Sequence, residues 1–175
     1  MSDKRPLASL FDSKSPTATG TRLSLDDAET PETEEEACSA FGYLRSTRDR
    51  ALAVEFRYRD GNSDFYPYSW LGPWRFNPSV GLLLKFTGDV VTLVLIRGSN
   101  LDLAVNGQAL NLTDRGLQRH RITWIREMDE SELKRVGDGG PTIDRIEVAE
   151  FETVEEQRKW LAKVAPDFVG HAPGG

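Results

Sequence analysis

The chain has 175 residues with a net charge of −6, 38% of them apolar and 29% charged, the balance of one ordinary globular domain with solvated tails. No run approaches the roughly 20 apolar residues of a membrane-spanning helix, and MSDKRPLASLFDSK at the start lacks the apolar core of a secretory signal. A cytoplasmic protein with no membrane partner is therefore expected. Cys38 is the one cysteine, and it stands far from the two dispersed histidines, His120 and His171. That excludes an intrachain disulfide and gives no reason to expect a zinc site or any other cofactor.

The charge is unevenly spread. Residues 1–44 carry four Lys/Arg against nine Asp/Glu, residues 45–126 twelve against seven, and residues 127–175 six against twelve. A basic centre of +5 thus lies between flanks of −5 and −6.

Residues 1–40, rich in Ser, Thr, Pro, Asp and Glu, read as a disordered acidic arm. Within it Leu7-Ala8-Ser9-Leu10-Phe11 is an apolar island of the size of a docking peptide, and Ser15-Pro16 and Thr30-Pro31 are phosphorylation-type dipeptides. Cys38 follows Glu34, Glu35 and Glu36, whose charges disfavour a thiolate.

Order is expected from Phe41, with an antiparallel β core over residues 41–127. Leu52, Val54, Phe56 and Tyr58 alternate with Glu55, Arg57 and Arg59, a half-buried strand. Asp60-Gly61 turns it into a second strand over Asp64–Trp70, which Pro67 pushes to an edge. Leu71–Pro78 reads as an aromatic-rich bend. Val80–Phe86 and Val90–Arg97 form the next two strands about Gly88-Asp89. Asn106-Gly107 signals a hairpin joining Leu101–Val105 to Gln108–Leu112, followed by a short helix over Thr113–Arg119. The strand His120–Glu127 places Ile122 and Trp124 on one face.

Residues 128–166 change character. Asp129-Glu130-Ser131-Glu132 has capping-box spacing for a helix through Val136, and Gly137–Pro141 breaks it. Thr142–Phe151 reads as a strand, and Thr153-Val154-Glu155-Glu156 caps a last helix that presents Val154, Leu161 and Val164, with Gln157 and Trp160 alongside, until Pro166. That helix is expected to pack on the sheet or cover its edge. Residues 167–175 form a flexible tail ending in Gly174-Gly175. The fold class is α+β, mainly antiparallel β, as a small barrel or rolled sheet with a C-terminal helix.

No GxSxG, GxxxxGK[ST], GxGxxG or HExxH motif occurs. A non-enzymatic binding or regulatory module contacting another protein is the leading expectation. An enzyme using carboxylates alone would need two acids converging near Trp70 and Trp74. Composition and periodicity define no oligomeric state.

Leu93-Val94-Leu95-Ile96-Arg97-Gly98-Ser99-Asn100-Leu101 resembles the second signature of Sm and Sm-like proteins, a hydrophobic strand ending in Arg-Gly that re-enters a strand. The family's first signature is not visible upstream. Those proteins are bent five-stranded barrels that assemble into rings and bind single-stranded RNA. The resemblance implies that Arg97 stacks on a base, that Gly98 permits a tight turn and that Asn100 lies beside them. Arg57 and Arg59 on one strand face, with Tyr66, Tyr68, Trp70 and Trp74 as stacking surfaces, would extend an RNA-binding surface.

Overall fold

Nine strands and two α-helices follow one another along Glu34 to Gly170, the residues described by a computed structural model. Residues 1–33 of the expected arm, with the Leu7–Phe11 island and the two Ser/Thr-Pro dipeptides, lie outside them, as does the Gly174-Gly175 end. The strands are β1 (Glu35–Ala37), β2 (Phe41–Leu44), β3 (Ala53–Arg57), β4 (Ser63–Pro67), β5 (Arg75–Asn77), β6 (Gly81–Thr87), β7 (Val91–Ser99), β8 (Ile122–Arg126) and β9 (Thr142–Phe151). The helices are α1 (Glu130–Val136) and α2 (Val154–Val164).

The fold is α+β and mainly antiparallel, as the alternation implied. The strands do not close into a barrel. They form a five-stranded sheet in the order β1-β2-β8-β3-β4 and a four-stranded sheet in the order β5-β6-β7-β9. Among the described residues the one parallel pair is β3 with β8. Phe41, Tyr43, Val54, Phe56, Ile122 and Ile125 of the first sheet share one buried cluster with Leu82, Leu84, Phe86, Val94, Ile96, Ile143 and Ile146 of the second. The sheets therefore face each other across the main core.

Local signals were reliable guides. Asp60-Gly61, with Gly61 at φ +89°, turns β3 into β4, and Pro67 lies in β4, an edge strand. Both capping boxes form: Asp129 and Thr153 each accept from the backbone N–H three residues on, while Glu132 and Glu156 reach back. Pro166 follows the end of α2.

Several expectations are corrected. Order begins before Phe41, because β1 pairs with β2 in the register Glu35↔Leu44 and so fixes a stretch whose composition alone would leave it solvated. β4 stops at Pro67, and Tyr68–Trp70 make a 3-10 turn. The aromatic bend contains β5, paired antiparallel with β6. Asn106 and Gly107 both have positive φ, as the turn signal requires, but they join no ladder and only one bridge, Val105↔Leu110, forms. Leu103 is 42% exposed while Leu101, Leu110 and Leu112 are buried, so this loop plugs the core with single side chains in place of a pleated face. Thr113–Arg119 yields only a 3-10 turn at Leu117–Arg119.

Two bulges set faces that plain alternation does not give, and the first corrects the expected shared face of Ile122 and Trp124. In the β2–β8 ladder Gly42 pairs with Trp124 but Tyr43 pairs with Ile122, so Ile122 and Ile125 are the buried pair and Trp124 turns outward. In β7–β9 the register slips between Arg97 and Gly98, which brings Ile143 and Ile146, three residues apart, to the same core.

The outer face of the second sheet is covered as well. Leu83, Leu93 and Leu95 pack with Trp160, Leu161, Val164, Ala165 and Phe168 from α2 and the turn after it. Phe151 meets Trp160 at 5.7 Å between ring centroids.

Candidate functional site

The sequence-predicted residues do not share one surface. Tyr68 is buried, stacks on His120 at 4.5 Å and donates its hydroxyl to the Ile122 carbonyl. Burial drives its phenol well above the ordinary range. Tyr66 stacks on Phe86 at 4.8 Å inside the core edge. Trp70 lies over Gly88 at the β6–β7 turn, and Trp74 is half-buried against the main core.

Arg97 is on the helix-covered face of β7. Its Nε donates to Glu147 at 2.8 Å and its Nη2 donates to the Val164 carbonyl at the end of α2. Gly98 stands so close to β9 that a Cβ there would lie 1.9 Å from the Thr142 carbonyl oxygen. Asn100 has φ +57° and donates through Nδ2 to the Gly140 carbonyl. The strand does not resume at Leu101, which starts the core-plugging loop.

Arg57 lies over the Trp124 ring, 4.6 Å from its centroid, and pairs with Glu55 at 2.7 Å. Arg59 points elsewhere, toward Glu127 and the Asp144 carbonyl.

These contacts match part of the basic centre with carboxylates of the chain's own. Arg45 pairs with Glu34 and Glu36 of the N-terminal flank. Arg59, Arg126 and Arg97 pair with Glu127, Glu132 and Glu147 of the C-terminal flank. Carboxylates gather at a cleft of about 410 Å³ beside the β3–β4 hairpin, lined by Glu55, Glu127, Asp129 and Glu132, not near Trp70 and Trp74. Hydrogen bonds from Arg57 and Arg126 hold Glu55 and Glu132 below the usual carboxylate range. Asp129 is held low too, by the Ser131 hydroxyl and the Glu132 N–H. All three are thus anions at neutral pH, without a proton to donate as a general acid.

Arg75, Lys85 and Arg158 are arranged differently. Between α2 and the outer face of β6 and β7 runs a groove of about 380 Å³ with Leu83, Leu93, Leu161 and Phe168 as its apolar floor. Arg75, Lys85 and Arg158 line it, and no carboxylate of the described residues does. Arg75 donates to the Phe168 carbonyl at 2.6 Å, and neither Lys85 nor Arg158 has an ion pair among the described residues. Gln157 contributes a largely buried amide, while Val154 (59% exposed) and Val169 bring apolar surface to the rim.

Sequence reasoning missed this set. Lys85 was legible as the outward residue between Leu84 and Phe86, and Arg158 as the neighbour of Gln157. Only the docking of α2 on the sheet joins them. Compared with protein-family models, curated proteins and solved structures, the chain matches none.

Proposed function

We propose that this chain is a non-enzymatic binding module whose groove between α2 and the second sheet takes an apolar, acidic segment of a partner protein. The carrying observation is the contrast in charge compensation. The arginines at the cleft and along β7 are matched by the chain's own carboxylates, whereas Arg75, Lys85 and Arg158 surround an apolar floor with no acid of the described residues lining it. Apolar surface rimmed by polar groups is the usual form of a protein-docking site, and a one-signed rim selects and steers a partner of opposite sign. An aliphatic or aromatic side chain would enter over Leu83 and Leu161 with neighbouring carboxylates on the cations. The groove is open at Val154 and Val169, which favours an extended segment over a small molecule needing burial on most sides.

The test is affinity capture from the protein's own host with the full chain, the double variant Lys85→Glu/Arg158→Glu, and Arg48→Glu/Lys134→Glu as a charge-matched control outside the groove. A protein retained by the wild type and the control, and lost at least about tenfold from the double variant, supports the reading. Equal retention by all three, or no protein retained by any, overturns it. A single-stranded oligonucleotide run in parallel at low salt addresses the RNA reading on Arg97 and Asn100. Binding that falls steeply with added salt and on Arg97→Ala would favour RNA over a protein partner.

A further inference from the structure

At the far end of β8 the sequence Arg119-His120-Arg121 meets the loop after β2. Arg121 is only 6% exposed, yet no carboxylate among the described residues pairs with it. Its Nε donates to the Leu44 carbonyl, and its Nη2 donates to the carbonyls of Leu44 and Arg45. Its third nitrogen, Nη1, has no hydrogen-bond partner among the described residues, and no side-chain polar atom there is both sealed from solvent and unsatisfied. Nη1 therefore keeps some exposure to solvent. A buried guanidinium without a counter-ion is costly, and here desolvation and the like charges of Arg50 and Arg119 act together against it.

Arg121 lines a small pocket of about 170 Å³ together with Arg45, Thr47, Gln108, Arg115 and Arg119, and no acid of the described residues lines it. Arg119 has no ion pair among the described residues. Arg45 and Arg115 do have carboxylate partners: the Arg45–Glu34 and Arg115–Asp114 pairs lie between side chains at least half exposed, where such pairs contribute little and exchange readily, while Glu36, the second partner of Arg45, is less exposed. A single carboxylate ligand would leave most of this charge unmatched. A phosphoryl group carries about −1.5 to −2 with three acceptor oxygens, matching several arginine forks at once.

We infer that Arg121, with Arg45, Arg115 and Arg119 around it, forms a binding site for a phosphate monoester group. The volume admits the phosphoryl head, and the rest of the ligand lies outside along Arg50, Gln118 and His120, which line the adjoining depression with Arg119. This site is separate from the α2 groove and does not depend on it.

The experiment is titration of the full chain with inorganic phosphate, a phosphoserine-containing peptide and adenosine 5′-monophosphate, followed by calorimetry and by melting temperature, with chloride at matched ionic strength as baseline. Saturable binding of at least one probe, weakened about tenfold or more in Arg115→Ala/Arg119→Ala and unchanged in Arg48→Ala, is expected. The probe that binds most tightly identifies the source as the free ion, a modified side chain or a nucleotide. No saturable binding of any probe, or equal binding by the double variant, overturns the inference. Both substituted arginines are exposed and lie outside the Arg121 clamp on Leu44, so an unaltered melting temperature without ligand separates lost binding from lost folding.

Discussion

Arg97 and Glu147 meet diagonally across the β7–β9 ladder at 2.8 Å, and the same guanidinium donates to the Val164 carbonyl in the last turn of α2. That carbonyl is one of the helix-end acceptors with no partner inside the helix, so one side chain ties sheet and helix together. Arg97→Gln is expected to lower unfolding free energy by about 1–3 kcal/mol, the range for a charged hydrogen bond. Amide exchange should rise first along Val154–Val164. Urea denaturation and hydrogen exchange read both, and unchanged exchange in α2 would dissolve this account of Arg97.

Two glycines separate a backbone clash from a side-chain clash. On Gly98 a new Cβ meets the Thr142 carbonyl at 1.9 Å; on Gly42 it meets Trp124 Nε1 at 2.2 Å. The carbonyl belongs to a paired strand and cannot swing away. Gly98→Ala should therefore cost at least the ~1–3 kcal/mol of an overpacked core. Gly42→Ala should cost less, displacing the indole from Glu35 and shifting tryptophan emission. Equal destabilisation by the two would contradict the geometry.

Acid should weaken the fold through Glu55 and Glu132. Hydrogen bonds from Arg57 and Arg126 hold both below the ordinary glutamate value of 4.5. The unfolded chain takes up these protons at higher pH than the folded one. Their contribution is complete above about pH 4.5 and is lost as pH falls through the folded values. Urea midpoints measured from pH 7 to pH 3 should be level and then fall. Glu132→Gln, which keeps an acceptor for the Asp129 N–H but loses the charge, should flatten the acid limb.

Cys38 should be a slow thiol. Burial, more than any neighbouring charge, raises it above its usual value, and its Sγ donates to the Phe41 carbonyl. The expected influence of Glu34–Glu36 is not what raises it, and the charge that does act on the thiol, Arg126, works in the opposite direction. Alkylation by iodoacetamide at pH 8 is expected to run at least about tenfold slower in the native protein than in urea. Equal rates would mean the β1–β2 turn opens freely.

What was legible in the sequence was local. Asp60-Gly61, Gly88-Asp89, Pro67 and the caps at Asp129 and Thr153 act within a few residues, so their chemistry specifies their structure. Asn106-Gly107 gave the turn but not the ladder, because Leu101, Leu103 and Val105 share a strand's period while Leu103 stays outside. The faces of Ile122 and Ile143 depended on bulges, which leave no mark in the alternation. The groove and the arginine pocket were illegible for a different reason. Lys85 meets Arg158, and Arg45 meets Arg121, only through the packing of elements more than 70 residues apart.

The parallel pairing of β3 with β8 has a consequence for how the molecule is made. Residues 53–57 must wait for residues 122–126, and the whole second sheet except β9 is synthesised in between. At ribosomal rates of roughly 5–20 residues per second that interval is about 4–15 seconds. Throughout it the β3–β4 hairpin and Phe41–Leu44 stand without the strand that joins them. Such long-range closure slows folding, and it marks β3 as the stretch a chaperone would meet while the chain is still emerging.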